Sequence, residues 1–214
     1  VKEWPEPQLL AFEKDMLGFY VTGHPLARYA KCLKRFASTS IAKLPQHKDG
    51  EEVKIVGLIA KIKQTTTRAK QEKMAILKLE DLEGAVEVLV FPQTYQKVSR
   101  NILANSVVLT TGRLNLREET PKIVANDIMS VESIYKMISG LNINLSGVQE
   151  NLFESLKGLL AQAHGEVPIY LHLDTAAKSR VQVVVDQGLF VRPSEKLISD
   201  IESLLGEERL SLVI

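Results

Sequence analysis

Five apolar stretches rich in β-branched residues lie between residues 53 and 131, and their order constrains the fold more than any other feature. The third stretch is the clearest, because three valines from Val86 to Val90 alternate with Glu87, Leu89 and Phe91. This two-residue period is typical of a strand with one buried face. The predicted strands cover residues 53–63, 74–79, 85–91, 106–116 and 122–131.

A helix is predicted between the third and fourth strands. Pro92 ends the third strand and suits the first turn of a helix over residues 93–103. The resulting order of strand, strand, strand, helix, strand, strand is that of the OB fold, a five-stranded, partly open Greek-key barrel. Gly57 interrupts the first strand, where we expect a bulge or a tight bend, and Gly112 interrupts the fourth strand, where we expect a bend. The predicted barrel domain covers residues 51–135.

Shorter segments flank the predicted barrel on both sides. Residues 1–50 are predicted to form a helical lead-in, whose two helices cover 8–20 and 26–36. Residues 136–214 are predicted to form a small α+β domain. Ser194 suits the N-cap of its last helix and Gly206 the C-terminal end. The other predicted elements are a helix over 152–163 and strands over 167–173, 180–185 and 210–214. The fold class is therefore a β-barrel plus α+β.

Composition narrows the classes of function. The formal net charge is +1, and residues 133–214 carry 7 basic and 10 acidic residues, so we expect any nucleic-acid contact to lie before them. A single cysteine, Cys32, excludes an internal disulfide and a multi-cysteine zinc site. No apolar stretch approaches the roughly 20 residues that span a bilayer, and no signal peptide is visible. We expect a cytoplasmic protein, and the start at Val1 indicates a piece of a longer chain.

Residue patterns typical of catalysis are not found in the sequence. The four histidines are scattered, with no carboxylate at metal-ligand spacing. Glu80, Asp81 and Glu83 stand beside a predicted hairpin turn, where an acidic side chain commonly bonds the local backbone. We interpret them as turn residues, although paired carboxylates can hold catalytic metals. We predict no catalytic residue, no metal site and no cofactor.

A basic segment between the first two strands is the strongest functional signal. In OB folds, strands two and three and the loops joining strands one–two and four–five bind oligonucleotides. Only Glu72 opposes the five cations of residues 61–73. Aromatic side chains are few, and Glu80 and Glu87 add negative charge, so we expect weak, sequence-independent contact with single strands. The candidate nucleic-acid-binding residues are Lys61, Lys63, Arg68, Lys70, Lys73, Phe91, Arg113, Arg117 and Lys122.

Five short sequence motifs are distinctive enough to compare with a known family. The first is EKDMLGFYVTGHPL at residues 13–26, preceded by Trp4-Pro5. The strand motif VGLI at 56–59 and the motif LEDLEGAVEV at 79–88 follow. The last two are VPIYL at 167–171 and VRPS at 191–194. Together they resemble the C-terminal part of the bacterial replicative DNA polymerase III alpha subunit, the last two its final segment, and the resemblance covers nearly the whole chain.

The resemblance implies a division of labour. In this family the catalytic aspartates lie in a palm domain upstream, so the whole protein would be a DNA-directed DNA polymerase. The OB domain lies near the single-stranded template, and the last module binds the tau subunit of the clamp loader. The family's sliding-clamp motif precedes the Trp-Pro segment, so clamp contact is expected only through a motif upstream of this chain.

One segment imitates a second clamp motif. Residues 149–153 read QENLF, a clamp-binding pentapeptide pattern. Leu152 and Phe153 also continue into a helical apolar stripe with Leu156 and Leu159-Leu160, so we interpret both as core residues.

Two alternative functions remain. One is the OB anticodon-binding module of an aminoacyl-tRNA synthetase, in which the same barrel would bind tRNA. The other is a pure protein-interaction scaffold, in which the basic segment is solvated surface. Binding of single-stranded DNA or of tRNA would separate these hypotheses.

Overall fold

A computed structural model describes residues 35–67, 70–174 and 179–213, together with positions 12, 13, 16, 17, 23, 26 and 29. The chain divides into two compact units, Val1–Val131 and Glu132–Ile214. The helices expected over 8–20 and 26–36 lie largely outside the described residues. Cys32 lies outside them as well.

The first unit contains the expected barrel. The strands are β1 Glu52–Thr66, β2 Lys73–Glu80, β3 Ala85–Val90, β4 Val107–Asn115 and β5 Lys122–Ser130. Their sheet is closed in the order β1-β2-β3-β5-β4, with β3 and β5 parallel and the other pairs antiparallel. Helix α1, Pro92–Val98, lies between β3 and β4. The OB-fold prediction is confirmed.

The barrel core follows from the alternation in the strands. Val86, Val88 and Val90 are buried, while Glu87 between them is exposed. A 3₁₀ helix, Ile41–Gln46, adds Ile41 and Leu44 to the same core. Burial of such aliphatic side chains supplies the main driving force for folding.

Asp81 connects the 3₁₀ helix to the β2–β3 turn. Its carboxylate accepts hydrogen bonds from the backbone N–H of Ile41 at 2.7 Å and from those of Glu83 and Gly84 at 2.8 Å. Glu83 accepts a hydrogen bond from the Ser40 hydroxyl at 2.6 Å. These acidic residues therefore organise the turn. No group of three or more potential ligands among the described residues could hold a metal ion.

The two strand glycines behave differently. The register of β4 and β5 shifts between Thr111 and Gly112, and the extra residue, Asn126, lies in β5 opposite this step; the bend expected at Gly112 stays a prediction. The bulge of β1 lies between Ile59 and Lys61 instead of at Gly57, so a bulge at Gly57 was wrong, and the alternative of a tight bend there stays a prediction. Gly57 serves a close approach between strands, because a Cβ there would lie 2.9 Å from the Glu80 carbonyl oxygen.

Two element boundaries in the barrel differ from the predictions by three residues or more. Strand β1 continues to Thr66, since backbone pairing with β2 extends past the last apolar residue, to Thr66 opposite Lys73. The helix predicted over 93–103 stops at Val98 and gives way to a 3₁₀ turn, Ser99–Asn101. Asn101 donates its side-chain amide to the Ile128 carbonyl at 2.8 Å, which ties this turn to β5.

The second unit contains a four-stranded sheet accompanied by helices. The elements after the barrel are α2 Val131–Lys136, β6 Gly140–Asn144, α3 Asn151–Gln162, β7 His164–Val167, β8 Ile169–Asp174, β9 Arg180–Val184, α4 Glu195–Leu205 and β10 Leu210–Val213. The strands of the sheet are in the order β10-β6-β8-β9. Ser194 caps α4, accepting from the Leu197 N–H at 3.2 Å, and Gly206 ends this helix at φ +105°.

Three sequence interpretations need correction in this region. Strand β6 was not predicted, and the strand expected over 167–173 is two strands divided at Pro168, which lacks a backbone N–H. Phe153 is 36% exposed, so it is not a core residue. Leu156 and Leu160 alone form the fully buried part of the α3 stripe. None of the helices in the described residues is long and apolar enough to cross a membrane.

Candidate nucleic-acid interface

The bulge in β1 determines on which side of the sheet Lys61 and Lys63 lie. Val53, Ile55 and Ile59 are buried in the barrel, and unbroken alternation would turn positions 61 and 63 inward as well. The extra residue shifts the alternation, so that Ile62 pairs with buried Leu77. Both lysines therefore lie on the outer side of the sheet.

Two parallel rows of side chains cross this outer side, which we call the strand face. The basic row consists of neighbouring positions on β1, β2, β3 and β5 and contains Lys61, Lys78, Glu87 and Lys122. The apolar row runs one step further along the strands and also reaches β4. It contains Lys63, Ile76, Leu89, Val124 and Arg113.

The apolar row offers a surface for nucleotide bases. Ile76, Leu89 and Val124 are half-buried, so each keeps part of an aliphatic side chain exposed. Phe91, the next outward position after Leu89, is 43% exposed. Lys63 and Arg113 end the row on either side, where charged groups can reach a phosphate backbone.

The cations at the tip of the β1–β2 hairpin do not all share this face. Lys73 pairs with Thr66 and is one residue away from outward-facing Met74, so it projects to the opposite side of the hairpin. Lys70 lies in the exposed turn. Arg68 lies outside the described residues. The predicted basic cluster is thus divided between the strand face and the hairpin tip.

The β4–β5 loop is anchored by Asp49. Its carboxylate accepts from the Leu116 N–H at 3.0 Å and lies 3.5 Å from the Arg117 Nε. The Leu116 hydrogen bond, followed by Arg117, lowers the pKa of Asp49 below its usual value. The Arg117 side chain remains 83% exposed, so a phosphate can reach it.

Lys122 is surrounded by carboxylates. Its Nζ donates to Glu118 at 2.5 Å and lies 3.5 Å from the Glu87 carboxylate. The hydrogen bond with Glu118, with a smaller contribution from Glu87, raises the pKa of Lys122 above its usual value. Lys78 is similarly paired with Glu80 at 2.7 Å. Lys61 and Lys63, in contrast, have no acidic group at ion-pair distance within the described part of the chain.

Comparison with known proteins places this barrel in a family. A family model described as an OB-fold nucleic acid binding domain matches residues 53–131. The DNA polymerase III alpha subunit of Saccharopolyspora erythraea is 31% identical over 214 residues, covering 95% of this chain and 18% of that protein. The chain matches the C-terminal OB-domain region of DNA polymerase III alpha subunits.

Other alpha subunits give the same result. That of Borreliella burgdorferi is 33% identical over 162 residues, covering 73% of this chain and 14% of that protein. That of Escherichia coli K12 is 25% identical over 216 residues, covering 98% of this chain and 18% of that protein. The chain therefore spans less than a fifth of the alpha subunits it matches, and the resemblance stated from its sequence phrases is confirmed.

Three residues of the strand face were not identified from the sequence. Lys78, Ile76 and Val124 belong to the strand face, although none was among the candidate residues. The alternation of β2 carried a signal for two of them, because Ala75, Leu77 and Leu79 occupy the buried positions. Val124 could be placed only from the pairing of β3 with β5.

Proposed function

We propose that this alpha-subunit segment is non-catalytic and contacts single-stranded template DNA through the strand face. The observation that best supports this proposal is the pair of rows, in which cations on β1 lie beside half-buried aliphatic side chains on β2, β3 and β5. Groove-lining cations that follow the phosphates and apolar groups that meet the bases are the two components of sequence-independent strand binding. Lys61 and Lys63 would supply the charge, and Leu89 and Phe91 the base contacts.

The proposed contact is weak and salt-dependent. Phe91 is the one aromatic side chain among the candidate residues, so base stacking contributes little. Lys78 and Lys122 are already paired with carboxylates. Each phosphate contact to a single strand contributes about 0.7 to the slope of log affinity against log salt. Binding should therefore be measurable at low salt and largely lost at physiological salt.

A titration of labelled oligonucleotides tests this proposal. We expect the chain to bind single-stranded DNA at about 20 mM salt with a dissociation constant in the micromolar range, and at least tenfold more weakly at 150 mM. Fluorescence anisotropy with a mixed-sequence 20-mer measures both, and a tRNA is titrated in parallel. Absence of DNA binding at the lower salt concentration would favour a protein-interaction scaffold and reject the proposal.

A tRNA anticodon loop is the second candidate ligand. It is favoured by one observation, since the family model that matches residues 53–131 bears the name of tRNA anticodon domains. Tighter binding of tRNA than of single-stranded DNA at equal salt would reverse our preference.

We further propose that the second unit docks the polymerase to the tau subunit of the clamp loader, as the resemblance of residues 167–171 and 191–194 implies. The DNA polymerase activity of the whole protein would lie outside this chain, and so would its sliding-clamp motif. As part of a replication protein, the chain would act in the cytoplasm.

A pull-down with purified tau tests the docking role. The complete chain should retain tau, and a chain lacking residues 139–214 should not, because the proposed docking surface is removed. A chain with the basic segment neutralised should retain tau as well as the unaltered chain does. Retention of tau by the shortened chain would contradict the assignment.

A further inference from the structure

An acidic side chain lies within the basic row, between two of its lysines. Glu87 lies between Lys78 and Lys122 on neighbouring strands, and its side chain is 54% exposed. Its carboxylate is 3.5 Å from the Lys122 Nζ. A single strand that crosses β2, β3 and β5 must therefore pass a fixed negative charge.

A second carboxylate completes the arrangement from the β4–β5 loop. Glu118 accepts a hydrogen bond from the Lys122 Nζ at 2.5 Å, four residues away along the chain. Only 20% of the Lys122 side chain is exposed. One ammonium thus faces two carboxylates, and a phosphate has to compete with both of them for Lys122.

The basic row consequently has unequal ends. Lys61 on β1 has no carboxylate at ion-pair distance among the described residues, whereas Lys122 on β5 has two. The β1 end attracts a phosphate backbone, and the β3–β5 end repels it at close range, where screening by salt is weakest.

We infer that Glu87, together with Glu118, is an electrostatic brake on the strand face, which keeps Lys122 occupied and limits the affinity for a phosphate backbone. This inference rests on the proposed function. The expected consequence is weak binding that keeps the DNA strand on the protein but lets it move along the strand face. Phosphate contacts that are few and salt-sensitive allow a protein to slide along nucleic acid.

Neutralising each carboxylate tests the brake. We expect Glu87→Gln and Glu118→Gln each to bind the single-stranded 20-mer about three- to tenfold more tightly than the unaltered chain at low salt. The salt slope should steepen by about 0.7, because Lys122 becomes one additional phosphate contact. Glu154→Gln, which changes the net charge equally on α3 of the second unit, should leave affinity and slope unchanged.

A second comparison separates release of Lys122 from a general loss of negative charge. In a Lys122→Ala background, Glu87→Gln should give a smaller gain in affinity and no change in slope. If the unaltered chain binds the 20-mer and Glu87→Gln binds it no more tightly, the brake is overturned and the proposed function stays intact. An equal gain in Glu154→Gln would also overturn it. Absence of binding by both the unaltered chain and Glu87→Gln would reject the brake and the proposed function together.

Discussion

Replacing Gly112 by alanine is expected to lower the free energy of unfolding of the barrel by about 3 kcal/mol or more. A Cβ at this position would lie 2.4 Å from the Val124 carbonyl oxygen and 3.0 Å from the Ala125 Cα. Both are backbone atoms of β5, so no side-chain rotation relieves the overlap. Strands β4 and β5 would have to separate at the bulge, where their register already shifts.

Urea denaturation followed by far-ultraviolet circular dichroism measures this loss, and hydrogen exchange of the β4 amides assigns it to the barrel. Gly158→Ala provides the matched control, because this exposed glycine of α3 has no atom within 4 Å of the added Cβ. Alanine there should stabilise the helix by about 0.5–1 kcal/mol. Equal stability of Gly112→Ala and the unaltered chain would mean that β4 and β5 are farther apart than the structure places them.

Neutralising four cations of the basic segment is expected to weaken binding of single-stranded DNA by about 10- to 100-fold at low salt. The variant replaces Lys61, Lys63, Arg68 and Lys70 with alanine. Lys61 and Lys63 lie on the strand face, and Lys70 lies in the exposed turn of the β1–β2 hairpin, so the variant removes charge from both places. The salt slope should become shallower by up to about 2.8, since each phosphate contact to a single strand contributes about 0.7.

A control with an equal change of charge makes this result specific. Four exposed cations outside the strand face and the hairpin tip are replaced with alanine. They are Lys43, Lys97, Arg100 and Lys136. This control should retain most of the affinity, because only the general attraction of the protein is reduced. Wild-type affinity in the first variant would reject the basic segment as a binding site.

The barrel was predictable because its strands alternate so regularly. The valines of β3 and the apolar positions of β2 fix the buried face without any knowledge of the pairing. The four-residue turn after Glu80 and the proline at position 92 mark where strands end. The small second domain was predicted less completely, because β6 alternates over only five residues, Gly140–Asn144, and is too short to stand out.

The candidate site was predictable only in outline. Lys61 and Lys63 were identified from their charge, but their direction depends on a bulge at Ala60 that no glycine or proline marks. Lys122 and Lys61 share a row because β3 pairs in parallel with β5, a contact between residues far apart in the chain. Nothing in the local sequence reveals that Glu87 stands between two lysines of other strands.

The bulge in β1 also divides this strand into two parts, in which buried and exposed side chains alternate in opposite order. Up to Ile59, odd-numbered positions belong to the core; after Ala60, odd-numbered positions belong to solvent and even-numbered Ile62 takes over the core. The single residue Ala60 therefore determines which side chains from Lys61 to Thr66 face the core and which face solvent. Deleting Ala60, or inserting one uncharged residue there, would leave the charge of the chain unchanged. It would nevertheless turn the inward-facing side chains of residues 61–66 outward and the outward-facing ones inward.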